Sequence, residues 1–165
     1  MAFYEGDPIQ RGPIELRDPR LPGHREARAK ADVDLSDWYD RAPTDDRLLY
    51  FAVVSAADHS PIGEVLLHDI DREAGQACVH AHIFRAESRA HGHGEHALKA
   101  IVDYAFRHGR LRELTLLVRE GNFAARRCYA KCGFQQVDRL AGGETQTVMC
   151  LTREDWRRME EEEEW

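Results

Sequence analysis

Apolar residues recur along this chain with two different periods. Between Ala97 and Phe106 they fall three and four apart, as Ala97-Ile101-Ala105 and Leu98-Val102-Phe106, the stripe of an amphipathic helix. That pattern predicts a helix over Glu95 to about His108, with Gly109 as its stop. Two shorter runs, Leu48–Ser55 and Ile62–His68, flank a turn at Ala56–Ser60 and predict a hairpin. A turn around Asp71–Gly75 leads to a third strand, Cys78–Phe84, and Leu114–Val118 is a continuous apolar run of the buried-strand type. Gly121-Asn122 opens a second helix that Cys132-Gly133 ends. Phe134–Val137 and Thr145–Leu151 predict a closing hairpin around Gly142-Gly143. Thr152, with Asp155 three residues on, then caps a short helix. Upstream, Ile14–Arg17 reads as a first strand, broken by Pro19, Pro22 and Gly23. His24–Lys30 and Leu35–Asp40 read as short helical pieces ended by Pro43. The order β-α-α-β-β-β-α-β-α-β-β, without internal repeat, predicts an α/β fold: a mixed sheet with helices on both faces.

Length adds one constraint. A chain of 165 residues fits a single domain with an ordinary core. The expected division is a loose leader over residues 1–13, one domain over 14–159 and an acidic tail over 160–165. No apolar run approaches the length of a membrane span, and Met1–Gln10 lacks the basic and apolar regions of a signal peptide. The expectation is therefore a cytoplasmic protein with reduced cysteines at Cys78, Cys128, Cys132 and Cys150. Net charge is −7, and Glu160–Glu164 account for most of it. That balance argues against nucleic-acid and anionic-membrane partners.

The stretch with the clearest chemistry is Arg89-Ala90-His91-Gly92-His93-Gly94, an R-x-x-G-x-G loop between a predicted strand and a predicted helix. Glycines let backbone N–H groups close around phosphate oxygens, and a helix N-terminus adds unpaired N–H groups and a positive dipole end. Downstream, Asn122, Ala125, Tyr129, Gly133 and Phe134 follow the spacing N-x-x-A-x-x-x-Y-x-x-x-G-F. Together the two motifs make the chain resemble the GCN5-related N-acetyltransferases, the GNAT family, most specifically from Leu48 to Phe134. Leu16-Arg17 and the Lys131-Cys132-Gly133-Phe134 ending look most like the branch of ribosomal-protein N-terminal and spermidine acetyltransferases.

The resemblance implies a mostly antiparallel sheet splayed into an acetyl-CoA cleft. It implies that His82, Ile83 and Phe84 lie along pantetheine, pairing through backbone groups as an added strand would. Arg89, Ala90, His91, Gly92, His93, Gly94 and Glu95 would hold the pyrophosphate. Asn122 would contact the cofactor arm, and Tyr129 would protonate the departing thiolate. Acetyl-CoA is then the cosubstrate and no metal is expected. The acceptor would be a primary amine: a protein N-terminus, a polyamine, an aminoglycoside-like drug or a small metabolite. A homodimer is a further family expectation.

The chain also departs from the family pattern. Where many members carry a glutamate base, Val79 and Leu117 stand here. His80, His82 and Glu64 are the substitutes at hand. His91 and His93 occupy loop positions that are often basic and apolar, so phosphate affinity is expected to rise as pH falls. His80, His82, His91, His93 and His96 match no closed tetrahedral set. Arg126, Arg127 and Lys131 can either hold phosphates or form a solvated face. A noncatalytic acyl-CoA sensor is the alternative function, and a ping-pong route through Cys128 is disfavoured because that residue points about 100° from Tyr129 on a helix.

Overall fold

The computed structural model describes residues 2–32, 35–85, 92–140 and 145–163. One eight-stranded sheet runs in the spatial order β1-β2-β3-β4-β5-β6-β8-β7. Its strands are β1 (Ile9–Arg11), β2 (Ile14–Arg17), β3 (Leu49–Ser55), β4 (Pro61–Asp71), β5 (Gln76–Ile83), β6 (Glu113–Arg119), β7 (Gln135–Leu140) and β8 (Gln146–Thr152). Every join is antiparallel except that of β5 with β6. Five helices complete the fold: α1 (His24–Ala29), α2 (Trp38–Arg41), α3 (His93–Arg107), α4 (Phe123–Lys131) and α5 (Arg153–Glu163). None of the described helices is long and apolar enough to cross a membrane.

Helices lie on both faces, as the sequence predicts. On one face, α3 buries its stripe of Ala97, Leu98, Ile101, Val102, Ala105 and Phe106 against Leu16, Phe51, Val53, Val65 and Leu67. On the other, Trp38 and Tyr39 of α2 cover Tyr50, Leu66, Leu48 and Ala42. β3 and β4 are thus sealed on both sides, and five consecutive residues of each, Tyr50–Val54 and Gly63–Leu67, are buried.

Residues 2–13 make specific contacts with the body of the sheet. Ile9–Arg11 pairs with β2, Phe3 bridges to Tyr50, and Ala2 and Phe3 are buried in the second cluster. Their glycines and prolines bend the segment without keeping it off the body. The glutamate run is also not a separate tail at its start, because α5 continues through Glu163 and Glu160 pairs with Arg107 at 3.2 Å. The hairpin turn expected at Gly142-Gly143 lies outside the described residues. Gly133 ends α4 at φ +98°, and a Cβ there would strike Met159 Sδ, which explains the glycine of the downstream motif.

Candidate active site

The site follows from one short join in the sheet. β5 and β6 pair in parallel only from Gln76↔Glu113 to Cys78↔Thr115. Beyond that point β6 continues with β8 alone, through Leu116↔Met149 to Arg119↔Gln146. Among the described residues no strand covers the rest of that edge of β5. Gly75 O accepts from the N–H groups of Arg112 and Glu113 at 2.7 and 3.1 Å, so odd-numbered residues of β5 turn their backbone toward β6. Alternation along a strand then aims the carbonyl of Val79 and the backbone of Ala81 and Ile83 into the gap. Even-numbered residues face β4 instead, and Phe84 N–H is spent on Ile62 O at 2.8 Å. Of the three residues expected along pantetheine, Ile83 has its backbone on the β6 side of β5. His82 offers a side chain on the α2 face, and Phe84 belongs to the β4 side.

The N-terminus of α3 stands at the mouth of this gap. Arg89, Ala90 and His91 lie outside the described residues. Gly92 takes φ +76° and caps the helix without a side-chain hydrogen bond, so the cap residue itself puts no side chain where the first-turn N–H groups point. Glycine suits that backbone because other residues rarely adopt it. A Cβ on Gly94 would meet only Ile83 at 3.8 Å, so the start of α3 lies directly over β5. His93 is the first helical residue, and Glu95 pairs with Lys99 at 4.0 Å.

α4 carries the two residues of the downstream motif. Asn122 Oδ1 accepts from Ala125 N–H at 3.2 Å, which leaves its amide NH₂ for a ligand. Tyr129 packs against the α3-side core, with its ring 6.4 Å from that of Phe134. Burial, and then Cys128 and Cys132, push the Tyr129 phenol up to about 12, so it stays protonated at neutral pH. Cys128 and Cys132 share a thiol hydrogen bond that lowers Cys128 and, together with burial, raises Cys132.

The opposite face of β5 carries His80 and His82, whose rings lie 6.4 Å apart. Burial, and then His82, hold His80 down at about 4, so it is a neutral imidazole near pH 7. Trp38 lies over both His68 and His80, at 4.6 and 6.2 Å. Of the glutamate positions, Val79 is buried and Leu117 is 54% exposed, and neither offers a carboxylate.

Glu64 is fully buried directly opposite His82. Its Oε1 accepts from Arg28 Nε at 2.9 Å. Arg28 also donates to Tyr50 Oη at 3.2 Å and to the Ser36 carbonyl. His24 Nε2 lies 3.0 Å from the same phenol. Burial raises the Glu64 carboxyl even though Arg28 pulls it down. Glu64 stands out in the sequence, but its partners do not. No local pattern links Arg28 to a residue 36 positions away.

This arrangement, a sheet opened after three parallel pairs with a glycine-capped helix over the opened strand, defines a mixed α/β fold with a splayed central sheet. The profile of the acetyltransferase (GNAT) domain matches residues 15–135. The chain therefore belongs to the GNAT family and is an N-acetyltransferase. Solved structures of spermidine N-acetyltransferase SpeG from Vibrio cholerae share the fold. The one in complex with manganese ions gives a TM-score of 0.76 at 19% identity, covering 89% of this chain and 96% of that one. A dodecameric structure of the same enzyme gives 0.76 at 20% identity, covering 88% and 97%. A search of curated protein sequences finds no match.

Proposed function

We propose that this acetyltransferase moves an acetyl group from acetyl-CoA directly to a primary amine, both being bound at once, and that the amine is a polyamine. The carrying observation is the β5–β6 join that stops after Cys78↔Thr115. It leaves a slot with backbone donors on one wall and a helix N-terminus at its mouth. Acetyl-CoA supplies the activated acyl group. Residues Gly92 to Glu95, the expected loop residues Arg89, Ala90 and His91, and the Asn122 amide would hold its phosphates and arm. Ala81 N–H is the donor for the acyl oxygen as negative charge develops there. Fixed donors of this kind are each worth about 10²–10³ in rate. Tyr129 gives its proton to the departing thiolate.

The acceptor enters from the α2 face. With no carboxylate at Val79 or Leu117 the amine must arrive neutral, and the uncharged ring of His80 adds no repulsion against the remaining positive charge of a polyamine. Exposed Asp40 and Asp46 and half-buried Asp45 near α2 favour a cationic acceptor. The spermidine acetyltransferases among the structural neighbours support the same class. Self-association fits this reading too. Leu117, Val137 and Leu140 of β6 and β7 are exposed, and one SpeG structure is dodecameric.

The test is thiol release from acetyl-CoA against polyamines, N-terminal peptides, aminoglycosides and free amino acids. Turnover with polyamines is expected. Tyr129→Phe should lower it about 10- to 1000-fold with coenzyme A affinity nearly intact. Tight acetyl-CoA binding with no turnover on any amine would favour a sensor instead.

A further inference from the structure

We propose that His68, Asp69 and Cys78 form a binding site for a zinc-class divalent cation on the α2 face of the sheet. The site is independent of the acetyl-transfer reading. His68 and Cys78 are direct cross-strand partners in β4 and β5, so their side chains leave the sheet on the same face within about 5 Å of each other at Cβ. Asp69 follows His68 and in a regular strand would point to the opposite face. Here the ladder slips between His68 and Asp71, and Asp69 takes φ +50°. That bulge turns its carboxylate back, and Oδ2 comes to 2.7 Å from His68 Nδ1. Bulges commonly re-aim a side chain in this way.

The result is a set of unlike donors. A ring nitrogen of His68, a carboxylate oxygen of Asp69 and Cys78 Sγ all lie within 4.8 Å of one another. The Trp38 indole packs against His68 at 4.6 Å, tilted by 33°. The same indole lies over His80, whose Nε2 is buried without a hydrogen-bond partner among the described residues. Arg47 lies at a loose 3.8 Å from Asp69 on an exposed surface. Zinc binds nitrogen and oxygen at about 2.1 Å and sulfur at about 2.3 Å, so donors sit about 3.5 Å apart around it. The three donors would draw together around the ion from their present spread of up to 4.8 Å. Imidazole and thiolate select zinc and similar ions over magnesium or calcium, which take oxygen ligands. Asp69 is 62% exposed, so the remaining position opens to water. On binding, the Cys78 thiol proton leaves to solvent and the sulfur coordinates as thiolate.

The test uses the full chain, stripped with a chelator and titrated with Co²⁺ without oxygen. One equivalent should bind, with a thiolate-to-cobalt absorption band that Zn²⁺ abolishes by displacement. Cys78→Ser should lose the band. His68→Gln and Asp69→Asn should each weaken binding about tenfold or more, while Cys128→Ser and Cys150→Ser bind as the parent does. Circular dichroism checks folding; if Cys78→Ser does not fold, the other two variants decide. No saturable band in the parent, or undiminished affinity in folded His68→Gln and Asp69→Asn, would overturn the site.

Discussion

The two halves of the sheet are covered very differently. β3 and β4 lie under α3 on one face and under the α1–α2 region on the other, and their central residues are wholly buried. β6 and β8 alternate between buried and open residues, and no residue of β7 is buried. The same sheet face carries Leu66, fully buried under α2, and Leu117, 54% exposed. β5 lies at the boundary. The closed half grips it through its even-numbered backbone groups, so its odd-numbered ones can face an open slot without the strand coming loose. The open half carries α4 with Asn122 and Tyr129. Binding and rigidity are thus divided between the two edges of one strand.

The largest effects should come from the closed half. Arg28→Met strands a fully buried Glu64 beside a phenol, and breaking such a pair costs about 3–5 kcal/mol. Urea unfolding should show that loss, and adding Glu64→Gln should restore part of it. Leu66→Ala should cost about 2–5 kcal/mol, whereas Leu117→Ser should stay within about 0.5 kcal/mol. A large cost at Leu117 would mean that another copy of the chain covers it.

Acid should act on the closed half as well. His24 and His80 are held at about 4 by burial, below the ordinary 6.5. The unfolded chain takes protons there that the folded chain refuses, so these rings make stability fall as pH drops from about 6.5 toward 4. Glu64, raised by burial, pulls the other way. The clean measurement is therefore the difference between parent and His80→Gln, whose stability should decline less over that window. At the mouth of the slot the main expected effect is on binding, with a modest stability cost from the left-handed backbone. Gly92→Val forces a β-branched residue to φ +76° with only His96 within 4 Å, at 3.6 Å. It should leave the fold intact but weaken coenzyme A binding at least tenfold, read by calorimetry.

Much of this contrast was legible in the residues. The stripe from Ala97 to Phe106 has the period of a helix, and the two spaced motifs carry backbone requirements, left-handed at Gly92 and Gly133, that few other residues meet. Leu114–Val118 read as fully buried, yet Leu117 faces out, because an apolar run does not reveal which face lacks a cover. β1 was hidden by the glycines and prolines around it, since three residues show no period. The Arg28–Glu64 pair and the return of Asp69 toward His68 depend on register and a bulge, which single-residue patterns do not encode.

The central claim is that β5 has one gripped edge and one open edge that acetyl-CoA completes. Amide hydrogen exchange tests it residue by residue. His80 and His82 amides should exchange slowly with or without ligand, because they face the β4 ladder. The Ala81 amide should exchange fast alone and slow at least tenfold with saturating acetyl-CoA. An Ala81 amide that is already protected, or that does not change on binding, would contradict the account.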